Sequence, residues 1–298
     1  MESLVLLSVC IVNWNTCHYL KDCLQSLREF PPDGADLEII VVDNASSDGS
    51  ADMVRSNFPE VKLIANSENN GYAGGNNQAL RAATGDAVLL LNPDVVLHPH
   101  TLTQTLTFLR EHPDAGAVGC RLLSTDGTTQ SSLRSFPDPL PVLWEYLKFS
   151  KLFPKSKIFG AYRMTYYDYD KPGEADQPMG TFLLIPRKTL DQVGVMDEQF
   201  PIFFNEVDWC YRAKREHGWK IYYTPATLTH YGGGSTRQAK PRMIRESHQS
   251  LLRFYEKHYR SKTPALLYNA ITFAVRWNEK RILKRVMSEQ DEAPTATT

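Results

Sequence analysis

The first third of the chain alternates continuous apolar runs with amphipathic stretches. Leu4–Val12 is apolar almost throughout, the pattern of a strand buried on both faces. Tyr19–Phe30 carries apolar residues at helical spacing and is stopped by Pro31-Pro32. Leu37–Val42 predicts a second strand, followed by a polar turn and a helix to Phe58. Val61–Ala65 predicts a third strand, and Asn76–Ala83 a helix closed by Gly85. Ala87–Leu91, Pro99–Glu111 and Ala117–Cys120 continue as strand, helix and strand. This alternation predicts right-handed crossovers and a mainly parallel sheet with helices on both faces.

The pattern breaks after residue 122. Residues 124–178 are rich in Ser, Thr, Pro and Tyr and lack clean periodicity. They are expected to form a mobile region with short helices, one around Leu143–Phe149. Order returns with a strand over Met179–Pro186, helices over Lys188–Val193 and Asp208–His217, and a strand over Ile221–Thr224. One catalytic unit is therefore expected through residue 240, in two halves that meet near residue 122. A basic helical stretch over 241–288 and a disordered tail over 289–298 are expected to follow.

Composition narrows the class. The chain has 298 residues, 42% of them hydrophobic, enough for a large core. A net charge of −1 gives no global basis for nucleic-acid binding. Cys10, Cys17, Cys23, Cys120 and Cys210 include no C-x-x-C pair and read as reduced thiols of a cytoplasmic protein. No apolar run reaches the ~18 residues of a spanning helix, and no signal peptide is expected.

Four places carry candidate chemistry. Asp94 follows the fourth strand, where open α/β sheets bind ligands. One carboxylate there suits Mg²⁺ or Mn²⁺ shared with substrate phosphates, although it could equally cap the following helix. Asp43 ends the second strand and suits a nucleobase or ribose; a capping turn fits Ser47 and Asp48 better than Asp43. Between them, Asn70-Gly71-Tyr72-Ala73-Gly74-Gly75-Asn76-Asn77 opens a helix with glycines that let backbone amides approach a diphosphate, or form a flexible turn. Glu206 and Asp208 follow the aromatic Phe203-Phe204. A carboxylate among aromatics can serve as a general base, while acids at a helix start also suit the dipole. His230 precedes the Gly232-Gly233-Gly234-Ser235-Thr236 loop and is a candidate metal ligand or a structural histidine.

These motifs together resemble the inverting glycosyltransferases of family 2. Val9-Cys10-Ile11-Val12-Asn13-Trp14-Asn15, Val42-Asp43-Asn44-Ala45-Ser46, the glycine segment and Leu91-Asn92-Pro93-Asp94 match in order. Gly180-Thr181-Phe182, Phe203 to Arg212 and His230 continue the match. Within the family the chain is most similar to bacterial rhamnosyltransferases of O-antigen or cell-wall polysaccharide synthesis. The resemblance implies a GT-A fold with a Rossmann-like nucleotide-binding half, a nucleotide-sugar donor, and a divalent cation on Asp94 and His230. It places donor contacts at Asn13, Asn15, Asp43, Asn70, Gly71, Gly74, Asn76, Asn77, Asn92 and Asp94. Acceptor contacts fall at Gly180, Thr181 and Trp209. Glu206 stands at the position of the base, with Asp208 as the alternative. Asn92 replaces the first acid of the D-x-D metal motif, and Asn205-Glu206 the usual acidic pair.

The expected activity is inverting transfer of a sugar, L-rhamnose from dTDP-rhamnose by preference, to a saccharide hydroxyl on a polyprenyl-diphosphate-linked acceptor. The rivals are another donor such as a UDP-hexose or UDP-GlcNAc, and a non-catalytic protein that binds nucleotide sugars. A nucleotidyltransferase is disfavoured because Asn13-Trp14-Asn15-Thr16 stands where a basic Gly-rich loop is expected. Between Arg242 and Ser288, Lys and Arg far outnumber the acids Glu246, Glu256 and Glu279. With Leu266, Phe273 and Trp277 at helical spacing, this suits peripheral attachment to an anionic membrane, on the inner face of the cell membrane. The alternative is packing on the catalytic domain or on a second copy in a homodimer.

Overall fold

The computed structural model describes residues 6–153, 155–233 and 240–291. The start of the first expected strand, the loop residues Gly234, Ser235 and Thr236, and the tail from residue 292 lie outside the described residues.

The first half runs β1 (Leu6–Asn13), α1 (Cys17–Glu29), β2 (Asp36–Asp43), α2 (Ser50–Asn57), β3 (Lys62–Ala65), α3 (Gly71–Ala82), β4 (Ala87–Leu91), β5 (Val95–Leu97), α4 (Thr101–Glu111) and β6 (Ala115–Leu123). The irregular stretch holds β7 (Leu133–Arg134), α5 (Pro139–Tyr146), α6 (Phe149–Leu152), β8 (Gly173–Glu174) and β9 (Gln177–Pro178). Then come β10 (Phe182–Pro186), α7 (Arg187–Val193), α8 (Asn205–Tyr211), β11 (Lys220–His230), α9 (Lys240–His258) and α10 (Ala265–Asp291). The chain leaves α8 through a π-helical turn, Arg212–Glu216.

The main sheet has the order β3-β2-β1-β4-β10-β6-β11-β5, with β8 also on β11. The first four pair in parallel, as alternation with helices predicts. β10 then enters antiparallel between β4 and β6. Alternate residues of β1 feed two cores: Leu7, Val9 and Ile11 pack with α1 and α4, while Cys10 and Val12 pack with α3 and α8. Burial on both faces is why the strand reads as apolar without interruption.

β11 runs past its expected end at Thr224. The proline at 225 has no N–H to give the ladder, and the register with β6 shifts between Tyr223 and Thr227. Beyond the shift the strand resumes, pairs with β5 and delivers His230 opposite Val95.

The basic C-terminal stretch forms two helices that join the catalytic core. Phe254 and Tyr255 of α9, Tyr259 just after it, and Tyr268, Ile271 and Val275 of α10 share one cluster with α3 and α8. The opposite side of α10 is open: Leu266, Phe273 and Trp277 are 86%, 70% and 57% exposed. α10 also extends through Asp291, so the first residues of the expected tail are helical. Among the described residues, no helix is long and apolar enough to cross a membrane.

Candidate active site

A cavity of about 660 Å³ opens where β1 and β4 end. Val12, Trp14 and Asn44 form its first wall, and Asn92, Pro93 and Asp94 its floor. Met179, Gly180, Thr181, Phe203 and Glu206 face them, and His230 closes the set. The first turns of α9 add Arg242, Met243 and Glu246, from the basic helical stretch rather than from any expected site motif.

Backbone pairing fixes Asp94. The Asn92 N–H donates to the Thr181 carbonyl at 2.9 Å, and the Tyr231 N–H to the Asp94 carbonyl at 3.0 Å. The Asp94 carboxylate is buried and lies 3.5 Å from His230 Nε2. His230 Nδ1 is 2.8 Å from Gln130 Oε1, and Gln130 Nε2 donates to the His230 carbonyl at 2.8 Å. Gln130 falls in the stretch without periodicity. The Asp126-Gly127 turn signal after β6 was the available clue, because a hairpin there folds Gln130 back beside the strand. A carboxylate oxygen suits Mn²⁺ or Mg²⁺, and the imidazole nitrogen beside it suits Mn²⁺ better than Mg²⁺. Among the described residues, no cluster of three or more His, Cys, Asp or Glu is placed to hold a metal. A cation held by these two residues would keep coordination positions for further oxygen ligands.

Glu206 lies in the first turn of α8, after Phe204 in the left-handed region at φ 70°. Burial pushes its carboxyl above the usual range, against backbone hydrogen bonds at Glu206, Val207 and Gly180 that pull it down. Gly180 makes this seat possible: a Cβ there would meet Glu206 Cγ at 3.0 Å. Tyr72 joins the two sides of the cavity, donating its hydroxyl to Asn92 Oδ1 at 2.8 Å and the Gly180 carbonyl at 3.3 Å.

Several expected site residues stand elsewhere. Asp208 is fully buried on the far side of α8, outside the cavity lining. It accepts from Arg212 Nε at 2.8 Å, Lys257 Nζ at 2.6 Å and His258 Nε2 at 2.7 Å. Burial raises its pKa, but the bonds from His258 and Lys257 and the Arg212 charge outweigh that and hold the carboxyl below its ordinary range. Trp209 is a core residue rather than an acceptor contact: it is buried, and its Nε1 donates to the Gly194 carbonyl at 2.8 Å.

On the donor side, Asn70 and Gly71 line the cavity, but Asn13, Asn15, Asp43, Gly74, Asn76 and Asn77 do not. Asn13 Nδ2 donates to Asp43 Oδ1 at 2.9 Å and to Ser46 Oγ at 3.1 Å. Asp43 Oδ2 takes the Ser46 N–H at 3.0 Å. Asn15 accepts the Ser47 N–H at 2.8 Å, so these residues order the wall from behind. Asn76 Nδ2 donates to the Tyr72 carbonyl at 2.9 Å. Asn77 ties α3 to the segment before α8, exchanging hydrogen bonds of 2.9 Å with the Met196 backbone. The first amides of α3 are not open to a diphosphate. Gly71 N–H donates to Asn69 Oδ1, and the Tyr72 and Ala73 N–H groups to the Pro201 carbonyl at 2.6 and 3.1 Å. The glycines permit close approach instead: a Cβ on Gly75 would stand 2.7 Å from a Val12 methyl.

Known proteins share this architecture. A mannosyltransferase from Pyrobaculum calidifontis, solved with GDP-Man and Mn²⁺, aligns over 98% of this chain and 76% of its own, at TM-score 0.59 and 18% identity. GalNAc-T7, solved with UDP, GalNAc and Mn²⁺, aligns over 86% of this chain and 48% of its own, at TM-score 0.60 and 16% identity. The fold is GT-A. In sequence, an N-acetylglucosaminyl-diphospho-decaprenol L-rhamnosyltransferase from Mycobacterium tuberculosis is 26% identical over 230 residues, 72% of this chain and 73% of that protein. A low-salt glycan biosynthesis hexosyltransferase from Haloferax volcanii is 24% identical over 215 residues, 71% of this chain and 62% of that protein. The sequence model of glycosyl transferase family 2 matches residues 8–172, more than half of the chain. The chain belongs to glycosyl transferase family 2 and is a glycosyltransferase.

Proposed function

We propose that this enzyme transfers L-rhamnose, with inversion, from a nucleoside-diphosphate donor to a hydroxyl of a polyprenyl-diphosphate-linked saccharide. The observation that carries the reading is one cavity lined by both a recessed carboxyl, Glu206, and the Asp94–His230 pair. The mycobacterial relative, a rhamnosyltransferase named for a lipid-linked acceptor, supports the choice of sugar and acceptor.

Glu206 takes the proton of the acceptor hydroxyl as that oxygen attacks the anomeric carbon from the side opposite the diphosphate. The new C–O bond forms while the bond to the diphosphate breaks, and the bonding electron pair leaves with the diphosphate. Asp94 and His230 would hold a divalent cation that, when bound, offsets charge on the leaving group. Asn70, Gly71 and Asn92 border the diphosphate, with the nucleoside against Val12, Trp14 and Asn44. Asp43, Asn13 and Asn15 support that wall. Gly180 and Thr181 border the acceptor.

Attachment to the inner face of the cell membrane belongs to the same reading. The open side of α10 carries Leu266, Phe273 and Trp277 with Arg276, Lys280, Arg281 and Lys284, a composition suited to anionic lipid. Replacing Phe273 and Trp277 together by Ser is expected to abolish co-sedimentation with anionic vesicles. Undiminished binding by that variant removes the membrane role.

Release of nucleoside diphosphate from dTDP-rhamnose, UDP-galactose, UDP-GlcNAc and GDP-mannose tests the activity. Release from dTDP-rhamnose is expected. Release from a different donor alone replaces the sugar, and tight binding of a donor without turnover, acceptor present, favours a non-catalytic role.

A further inference from the structure

We infer that Gln130 is a positioning residue for the cation site, because its side-chain amide holds His230 in the tautomer whose Nε2 lone pair faces Asp94. This rests on the reading of Asp94 and His230 as cation ligands.

The argument is one of donors and acceptors. The His230 carbonyl, 2.8 Å from the Gln130 amide, can only accept, so the amide nitrogen must face it. The amide oxygen is thereby turned to His230 Nδ1, also at 2.8 Å. That oxygen cannot donate, so Nδ1 carries the hydrogen. A neutral imidazole has a single N–H, and Nε2 is left with its lone pair, 3.5 Å from Asp94 Oδ1. Two acceptor atoms so placed are set to share a cation.

The amide is itself held firmly. The Gln130 N–H donates to the Leu122 carbonyl at 2.8 Å, which lays the residue along the end of β6. The return is made by Gly127 at φ +81°, with Asp126 Oδ1 accepting the Thr128 N–H at 2.9 Å. β6 pairs in parallel with β11, Leu122 opposite Leu228 and Leu123 opposite Thr229. Gln130 and His230 therefore hang from adjacent strand ends. Without the amide, both tautomers are open to the ring, and the one protonated on Nε2 cannot ligate through it.

The test uses the intact chain with TDP as the phosphate source. Mn²⁺ affinity is read by electron paramagnetic resonance, and the His230 tautomer by long-range ¹H–¹⁵N correlation without metal. Wild-type protein is expected to show a protonated Nδ1 and a bare Nε2, and to bind Mn²⁺. Gln130→Met is expected to lose affinity by about 10–100-fold and to show the other tautomer. Gln130→Glu, which keeps an oxygen for Nδ1–H, is expected to recover part of the loss. A wild-type ring protonated at Nε2, alone or at both nitrogens, overturns the inference whether or not any variant folds. So does unchanged Mn²⁺ affinity in Gln130→Met. Failure of the wild type to bind Mn²⁺ with TDP overturns both the inference and the cation reading beneath it.

Discussion

The two sides of α8 carry the same chemical group with opposite fates. Glu206 and Asp208 stand two residues apart, about 200° around a helix of 3.6 residues per turn. One faces the cavity and the other faces α9. Both are withdrawn from solvent, Asp208 wholly and Glu206 in part. Among the described residues, Glu206 is answered by backbone hydrogen bonds, and burial wins, so its proton is held more tightly. Asp208 is answered by Arg212, Lys257 and His258, and its proton is given up more easily. On the proposed reading, the difference teaches that a base here is made by keeping the counter-charges of the described residues away, while a structural anion is made by supplying them.

The largest test removes each charge in turn. Glu206→Gln is expected to lower kcat by about 10²–10⁴-fold, with donor affinity kept within a few-fold in an equilibrium titration. Asp208→Asn is expected to destabilise the fold by about 3–5 kcal/mol in chemical denaturation, because it leaves the Arg212 guanidinium and the Lys257 ammonium without the buried carboxylate they share, while the folded fraction still turns over. Loss of turnover in Asp208→Asn at full folding, with an active Glu206→Gln, would reverse the assignment.

The pH dependence sharpens the contrast through its signs. Glu206 must be ionised to act, so kcat is expected to fall on acidification at a pH above the ordinary carboxylate range. Glu206→Gln should lack that limb. Stability moves oppositely for the two groups. The Asp208 contribution is present above the unfolded-state pKa and is lost as pH falls through its lowered folded value. The Glu206 carboxyl binds its proton more tightly in the folded state, so its contribution is present at low pH and lost as pH rises through its folded value. Glu206→Gln should therefore be more stable than wild type near neutrality in a thermal melt. A melting point below wild type at that pH would contradict the burial argument.

Smaller effects probe the surroundings. Gly180→Ala places a methyl 3.0 Å from Glu206 Cγ and is expected to cost about tenfold in kcat through misplacement of the carboxyl. Trp209→Phe leaves the Gly194 carbonyl without its partner and is expected to cost about 1–3 kcal/mol in stability, with acceptor KM unchanged. A raised acceptor KM without loss of stability would return Trp209 to the acceptor site.

The parts of the site at strand ends were legible in the sequence. Asp94 follows an apolar run, and the sheet carries such residues to one edge whatever the side-chain details. The resemblance prefers Glu206 to Asp208, but their different surroundings are not legible, because both lie in the first turn of one short helix and the packing of α9 decides which charge is answered. Asn77 and Trp209 lie within or beside matching motifs, yet their polar atoms are consumed by Met196 and Gly194, partners far away in the chain. The second half of β11 is hidden in the sequence by Pro225, which has no N–H to give a ladder. The strand survives through a register shift, which depends on its neighbours on both sides. The contribution of α9 to the cavity was invisible for the same reason: Arg242 and Glu246 sit in a stretch whose local signal is only basic and helical.

The Pro201 carbonyl that caps α3 has a consequence for how this enzyme can vary through descent. The oxygen belongs to the peptide unit, and every amino acid that could replace Pro201 would still present it. The stitch between α3 and the segment leading to α8 is thus protected from codon change in a way that the parallel stitch through Asn77 is not. A lineage can lose the second in one substitution; the first yields only to a change in the path of the chain.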